Sequence, residues 1–392
     1  MVNIRTFGQF VDAEIAAMKY SLLVLVLALG LLGHNLLAQT DSTAQAETVP
    51  DTTKTQITSL FGLPVVYFTP ETRWAFGAAG LLAFRLPDEP RNSRTSQLQL
   101  GVVYTLERQF LAYLPYVLFA QNEKYWLYGE LGYYRYTYFF YGIGNENTDP
   151  GGELYDVNFP RFRIHALRKV APHWYLGGHY WLDVFDIQNT QPGGRLEDTQ
   201  RDITGRNGGI ISGPGLISIY DRREDFNFPY RGFYAEGLFQ VNAPWTGSSF
   251  TYTRTSLDLR GFVPVWKRKH HIFGAQLYAD LTTGDPPFNA LALIGGPRRL
   301  RGFYEGRYRA RNMLGGQVEY RLPLFWRLGA TAFAGTAAVF DEWSELRPAV
   351  FRYSYGAGLR VRISNEDRIN VRFDVAIAQG RPNFYLTVGE AF

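Results

Sequence analysis

Between residues 350 and 379 the chain alternates apolar and polar residues with a period of two, and this limits its fold more than any other feature. Phe351, Tyr353, Tyr355, Ala357, Leu359, Val361 and Ile363 share one face of an extended segment, with Arg352, Ser354, Gly356, Gly358, Arg360 and Arg362 on the other. In the next segment Ile369, Val371, Phe373, Val375 and Ile377 stand opposite Asn370, Arg372 and Asp374. A period of two belongs to a strand, whose successive side chains point to opposite faces. A soluble sandwich would turn the apolar face inward and the arginines to water, whereas a barrel in lipid does the reverse. Periodicity alone does not choose between them.

From Leu63 onward the sequence breaks into about sixteen such segments, punctuated by Gly, Pro, Asn and Asp. They fall near 63–69, 73–86, 94–106, 108–120, 124–138, 156–170, 173–187, 210–221, 230–241, 250–264, 270–282, 313–325, 327–340, 350–363, 368–379 and 383–392. Most are long enough to cross a bilayer as a tilted strand, which takes roughly 9–11 residues. After residue 38 no stretch reaches the roughly 20 apolar residues of a spanning helix. Only 19% of the chain is charged, against the roughly 25% usual in soluble domains, while 16% is aromatic. The absence of Cys excludes disulfides, lipid attachment through an N-terminal Cys, and Cys-ligated zinc or iron–sulfur sites. A net charge of +4 over 392 residues gives little reason to expect nucleic acid. His165, His173, His179, His270 and His271 show no close metal spacing, and the glycines at 142, 144, 193 and 194 precede no helix. No catalytic residue, metal or cofactor is assigned, and the chain does not read as an enzyme.

Three observations favour the membrane. The long connections (139–155, 188–209, 283–312, 341–349) all follow odd-numbered segments, while those after even-numbered ones are mostly short turns, with 87–93 and 222–229 as exceptions. Short turns on one side and long loops on the other are the habit of outer-membrane barrels. Aromatic residues gather near segment ends, as in Tyr133-Tyr134, Tyr136, Tyr138 to Tyr141, and Trp326, where interfacial girdles would lie. Finally Phe384, Leu386 and Val388 lead to a terminal Phe392, as suits a barrel recognised by its last strand during assembly. The fold expected is all-β: a 16-stranded antiparallel transmembrane barrel over 63–392, with the long loop 283–312 folded into its lumen.

Met18-Lys19-Tyr20, the apolar run Leu22 to Leu32 and Leu37-Ala38-Gln39 read as the three regions of a secretory signal cut after Ala38, so 1–38 is an N-terminal extension and signal peptide. Residues 39–62 read as a disordered linker, polar and rich in Thr, Asp and Gln from Thr40 to Ser59 and too short for a domain with its own core. Trp266-Lys267-Arg268-Lys269-His270 forms a basic turn on the periplasmic side by parity. Lipid excludes an open sheet edge, so the first segment must meet the last. Pro64 and Pro70 cannot donate to a ladder, which makes the seam between 63–69 and Phe384, Leu386 and Val388 the weakest place in the wall.

The longest connection carries Gly295-Gly296-Pro297-Arg298-Arg299-Leu300-Arg301-Gly302-Phe303-Tyr304. If it enters the lumen, Arg301 can pair with a wall carboxylate, each charged hydrogen bond being worth roughly 1.5–3 kcal/mol. By alternation the lumen-facing carboxylates are Glu319, Asp374 and Asp280. Here the chain resembles the Omp85 superfamily, the BamA/TamA-type outer-membrane barrels also called bacterial surface antigen D15 proteins. Leu300-Arg301-Gly302-Phe303 looks like that family's sixth-loop signature and falls between the eleventh and twelfth segments, where the family has it. Asp221-Arg222-Arg223-Glu224, Pro229 and Gly232 resemble its mid-barrel pattern, Glu319-Tyr320-Arg321-Leu322-Pro323 its twelfth-strand motif, and Phe392 its C-terminal assembly signal. The resemblance covers roughly 63–392.

It implies a sixteen-stranded barrel whose sixth loop is locked to the wall through its arginine, a weakly zipped seam, and a role in inserting or translocating outer-membrane or surface proteins. The family's thirteenth strand usually supplies an Asp for that arginine, but Phe333-Ala334-Gly335-Thr336-Ala337 has no acid, so the lock must use Glu319 or Asp374. Protein-handling members normally carry periplasmic POTRA domains. The linker leaves no room for one, so separate periplasmic partners are expected. The other expected partners are outer-membrane lipids, the barrel-assembly machinery for the chain's own insertion, and client proteins. The alternative is a passive channel or structural barrel, in which the lumen-facing Arg352, Arg360, Arg362 and Arg372 would favour anions.

Overall fold

The computed structural model describes residues 55–69, 73–145, 151–200, 202–266 and 271–392. The signal segment, most of the expected linker, Pro70 and the basic turn at 267–270 lie outside the described residues. Strands β1 (Gln56–Thr69), β2 (Arg73–Arg85), β3 (Ser96–Thr105), β4 (Phe110–Ala120), β5 (Tyr125–Phe140) and β6 (Glu153–Ala171) begin one antiparallel sheet. It continues through β7 (Trp174–Thr190), β8 (Gly209–Asp221), β9 (Gly232–Asn242), β10 (Tyr252–Trp266) and β11 (His271–Gly284). The long loop follows, and inside it β12 (Ala292–Ile294) and β13 (Tyr308–Ala310) form a small ladder of their own. The large sheet resumes with β14 (Asn312–Pro323), β15 (Leu328–Phe340), β16 (Arg352–Ser364), β17 (Ile369–Ala378) and β18 (Arg381–Val388). Sixteen strands thus pair in chain order, and β14 is the twelfth of them.

The alternation resolves into two faces. Tyr353, Tyr355, Leu359, Leu277 and Leu216 are exposed on the outside, while Arg360, Arg372, Asp374, Glu319 and Arg321 are buried within. Within the aromatic clusters the period of two again decides the outcome. Tyr133 faces out, but Tyr134 points inward, stacks on Phe159 and donates its hydroxyl to Glu130.

The wall differs from expectation at both ends of the chain. β1 starts at Gln56, within the stretch expected to be linker, because Gln56 to Gly62 find partners from Arg85 to Gly80 on β2. β18 stops at Val388 and does not run to Phe392. Gly389, at φ +85°, turns the chain inward, where Phe392 is buried among Phe228, Phe262 and Ile272. Phe392 is therefore not the outward end of a strand.

Apolar side chains gather at both ends of the sheet. At the loop end Leu196 packs with Phe140, Tyr155, Phe159, Phe288 and Leu291. At the turn end, the connection 222–231 folds under the barrel. Phe226 meets Phe119 and Trp126 there, and Phe228 meets Phe262 and Phe392. This explains one exception to the short-turn rule: that connection is long because it covers the mouth. The second exception, 87–93, leads into Arg94, which reaches the same place and meets Asp221 at 2.8 Å.

Candidate functional site: the docked loop and its wall

The long loop is held by residues from several strands of the large sheet. Leu300 adopts φ +48° and is fully buried with Tyr278, Phe303, Met313 and Val339. Gly302 follows at φ +111°, and a Cβ there would lie 3.0 Å from that of Ala378, so glycine is required on both counts. Between them Arg301 is directed into the wall. Its Nη2 donates to Glu319 Oε2 on β14 at 2.7 Å, and its Nη1 donates to Asp374 Oδ2 on β17 at 2.7 Å. The guanidinium also lies 3.5 Å over the Phe333 ring. Phe333 thus occupies the β15 position where an acid was missing, and it supplies a π face while two other strands supply the charge.

Around this centre the charges are shared. Arg321 donates to Glu319 at 2.7 Å, Arg360 to Asp374 at 2.6 Å and to Glu390 at 2.9 Å, and Arg372 to Asp374 at 3.0 Å. Arg360 and Arg372 are direct cross-strand partners, a repulsive arrangement that the carboxylate of Asp374 between them offsets. Buried charges persist only when paired and hydrogen-bonded, and breaking such a pair by removing one partner costs about 3–5 kcal/mol. The loop backbone is tied as well. Tyr385 donates its hydroxyl to Phe303 O and accepts from Gly302 N, Asn383 donates to Gly302 O, and Arg372 donates to Pro297 O. Of the three candidate carboxylates, Asp280 does not meet Arg301; it pairs with Arg299 and accepts from Ser256.

None of the four arginines expected on a basic lumen face is free. Arg360 and Arg372 belong to the network above. Arg352 donates to Asn145 O at 2.6 Å and lies over Tyr308, while Arg362 donates to Asn370 and lies over Phe228. Among the seam residues, Pro64 sits in β1 opposite Ala78, and Phe384 and Leu386 are exposed on the outer face. Val388 packs near Leu81 and Ala83 of β2.

Sequence reading missed several members of the site. Tyr385 and Asn383 were detectable, because alternation puts them opposite Phe384 and Leu386. Glu390 was not, since it lies beyond the strand. The Asp221 carboxylate, bonded three times by Arg223 and once by Arg94, stands in the sequence only as part of a motif. In the mouth-covering connection, burial pushes the Asp225 carboxyl above its ordinary range, although the backbone N–H groups of Phe228 and Asn227 and the Arg368 guanidinium work against the shift. Among the described residues no group of three or more His, Asp or Glu side chains is placed to hold a metal.

A sixteen-stranded antiparallel sheet with an apolar outer face, a charged interior and a loop ion-paired into its lumen defines an outer-membrane-type β-barrel. Residues 215–392, a little under half of the chain, match the model of the Omp85 superfamily domain. Solved structures of similar fold include BamA from Haemophilus ducreyi lacking POTRA domains 1–3, at 15% identity and TM-score 0.51 over 86% of this chain and 69% of that one. CdiB from Acinetobacter baumannii is similar at 11% identity and TM-score 0.54, over 86% and 60%. CdiB from Escherichia coli is similar at 12% identity and TM-score 0.52, over 88% and 63%. The chain therefore spans about three fifths of either CdiB chain, and at such identities the likeness is one of fold. Among curated proteins no sequence matches this one.

Proposed function

We propose that this barrel acts in the insertion or translocation of outer-membrane or surface proteins, working with separate periplasmic partners. The observation that carries the reading is the Arg301 lock. A purely structural barrel has no need of a loop whose Arg-Gly-aromatic run is fixed to β14, β17 and β18 together. That anchorage keeps the strands beside the seam in register while the seam itself opens. A client strand would then pair with a free edge of β1 or β18 by β-augmentation. The short β18, at 8 residues, and Pro64 in β1 both leave that edge with few ladder bonds.

The test is a set of paired cysteine substitutions between residues 60–65 and 384–388, made without interference because the chain has no cysteine of its own. Client assembly in reconstituted membranes should stop when the pair is oxidised and recover on reduction. Assembly that continues at the same rate with the seam cross-linked would refute the mechanism. Apolar side chains cluster at both ends of the sheet and each of the four lumen arginines is engaged, which counts against an anion channel.

A further inference from the structure

We propose that the turn joining β16 to β17, residues 365–368, is a latch that couples closure of the lateral seam to closure of the bore, with Asp367 as its central group. On one side this turn holds the first hairpin. Thr58 Oγ1 and Ser59 Oγ, both on β1, donate to the Asp367 carboxylate at 3.3 and 2.5 Å. Ser59 Oγ also reaches Ser364 Oγ at 3.0 Å, and Arg85 at the end of β2 pairs with Glu366 at 3.1 Å. Beside these contacts Leu81 and Ala83 of β2 bury against Ile369, next to Val388 of β18. Strands from the two ends of the sheet order are thus joined here by side chains of a turn that belongs to neither β1 nor β18.

On its other side the same turn holds the connection 222–231, which covers the mouth. Asn227 donates to the backbone oxygen of Asp367 at 2.8 Å, and Arg368 pairs with Glu224 at 2.9 Å and lies over Tyr230. Asn227 also accepts from Gln97 on β3, so the connection bridges the mouth from one wall to the other. Asp367 itself is only 4% exposed, and its own N–H and carboxylate are both bonded to Ser364. A buried carboxylate with several donors holds one geometry firmly, and losing its β1 partners frees the turn that carries the mouth-covering connection. The seam and the bore therefore open together.

Hydrogen exchange of the full chain in lipid nanodiscs tests this without any client, so the result is independent of the insertion reading. In the Ser59→Cys/Ser364→Cys protein, oxidation should form a disulfide and slow exchange both in 56–65 and in 224–230. Asn227→Ala, which removes the bonds to Asp367 O and Gln97 but none to β1, should speed exchange in 56–65 by about tenfold, while β6 and β7 stay unchanged. Asp367→Ala should loosen both segments. If that variant does not fold, the oxidised and reduced forms of the cysteine pair still decide. A disulfide that fails to form, or one that protects 56–65 while 224–230 exchanges as before, would overturn the proposal.

Discussion

At the scale of single residues, the site depends on how one guanidinium is shared. Arg301 presents two parallel donor edges, and each finds a different carboxylate on a different strand. Lysine carries the same charge but a single point of donation, so it can satisfy Glu319 or Asp374 but not hold both in place. Arg301→Ala should lower barrel stability by about 3–5 kcal/mol, because two buried carboxylates lose a partner. Arg301→Lys should recover less than half of the loss, as read from the thermal midpoint of heat-modifiable mobility in detergent. A lysine variant as stable as the parent would mean that bridging is unimportant. Gly302→Ala tests the backbone instead. It combines a left-handed φ with a close approach to Ala378, and should cost about 1–3 kcal/mol. Exchange protection of the loop around residue 302 is the measurement, and protection equal to the parent would contradict the reading.

Strands and loops show how much of this molecule was legible beforehand. The wall was, because a period of two survives even where the sequence is otherwise unremarkable, and the eleventh and twelfth segments correspond to β11 and β14 on either side of the long loop. Which carboxylates Arg301 meets was legible only as a short set of inward residues, since Glu319, Asp374 and Asp280 satisfy alternation equally. Height along the strand and the path of the loop separate them, and neither is written locally. The closure of the turn-end mouth was not legible at all. Phe226 and Phe228 sit in a connection with no periodicity, and Phe392 looked like the end of a strand until Gly389 turned it inward. One consequence changes a simple expectation about conductance. Deleting 297–306 removes Arg301 but leaves Leu196, Phe288 and Leu291 at one mouth and Phe226 and Phe228 at the other. In planar bilayers that deletion alone should give little steady current, and current should rise when Phe226→Ala and Phe228→Ala are added. Large current from the loop deletion by itself would show that the turn-end cover does not seal.

For the whole molecule, one arrangement underlies every other statement: the apolar faces of the strands meet lipid and the ionised network lies within. A closed wall is then required by backbone hydrogen bonding, and the loop lock is buried inside it. The arrangement also explains how a chain that is 46% hydrophobic can lack any long apolar run, since every second residue is turned away from lipid. The most direct test is a nitroxide scan along β16 in reconstituted bilayers, one cysteine at a time from Arg352 to Arg362, with accessibility to oxygen and to a water-soluble nickel complex read at each position. Oxygen accessibility should peak at Tyr353, Tyr355, Ala357, Leu359 and Val361 and fall at Ser354, Gly356, Gly358 and Arg360. Equal values on both faces, or oxygen peaks at the even-numbered positions, would contradict the account.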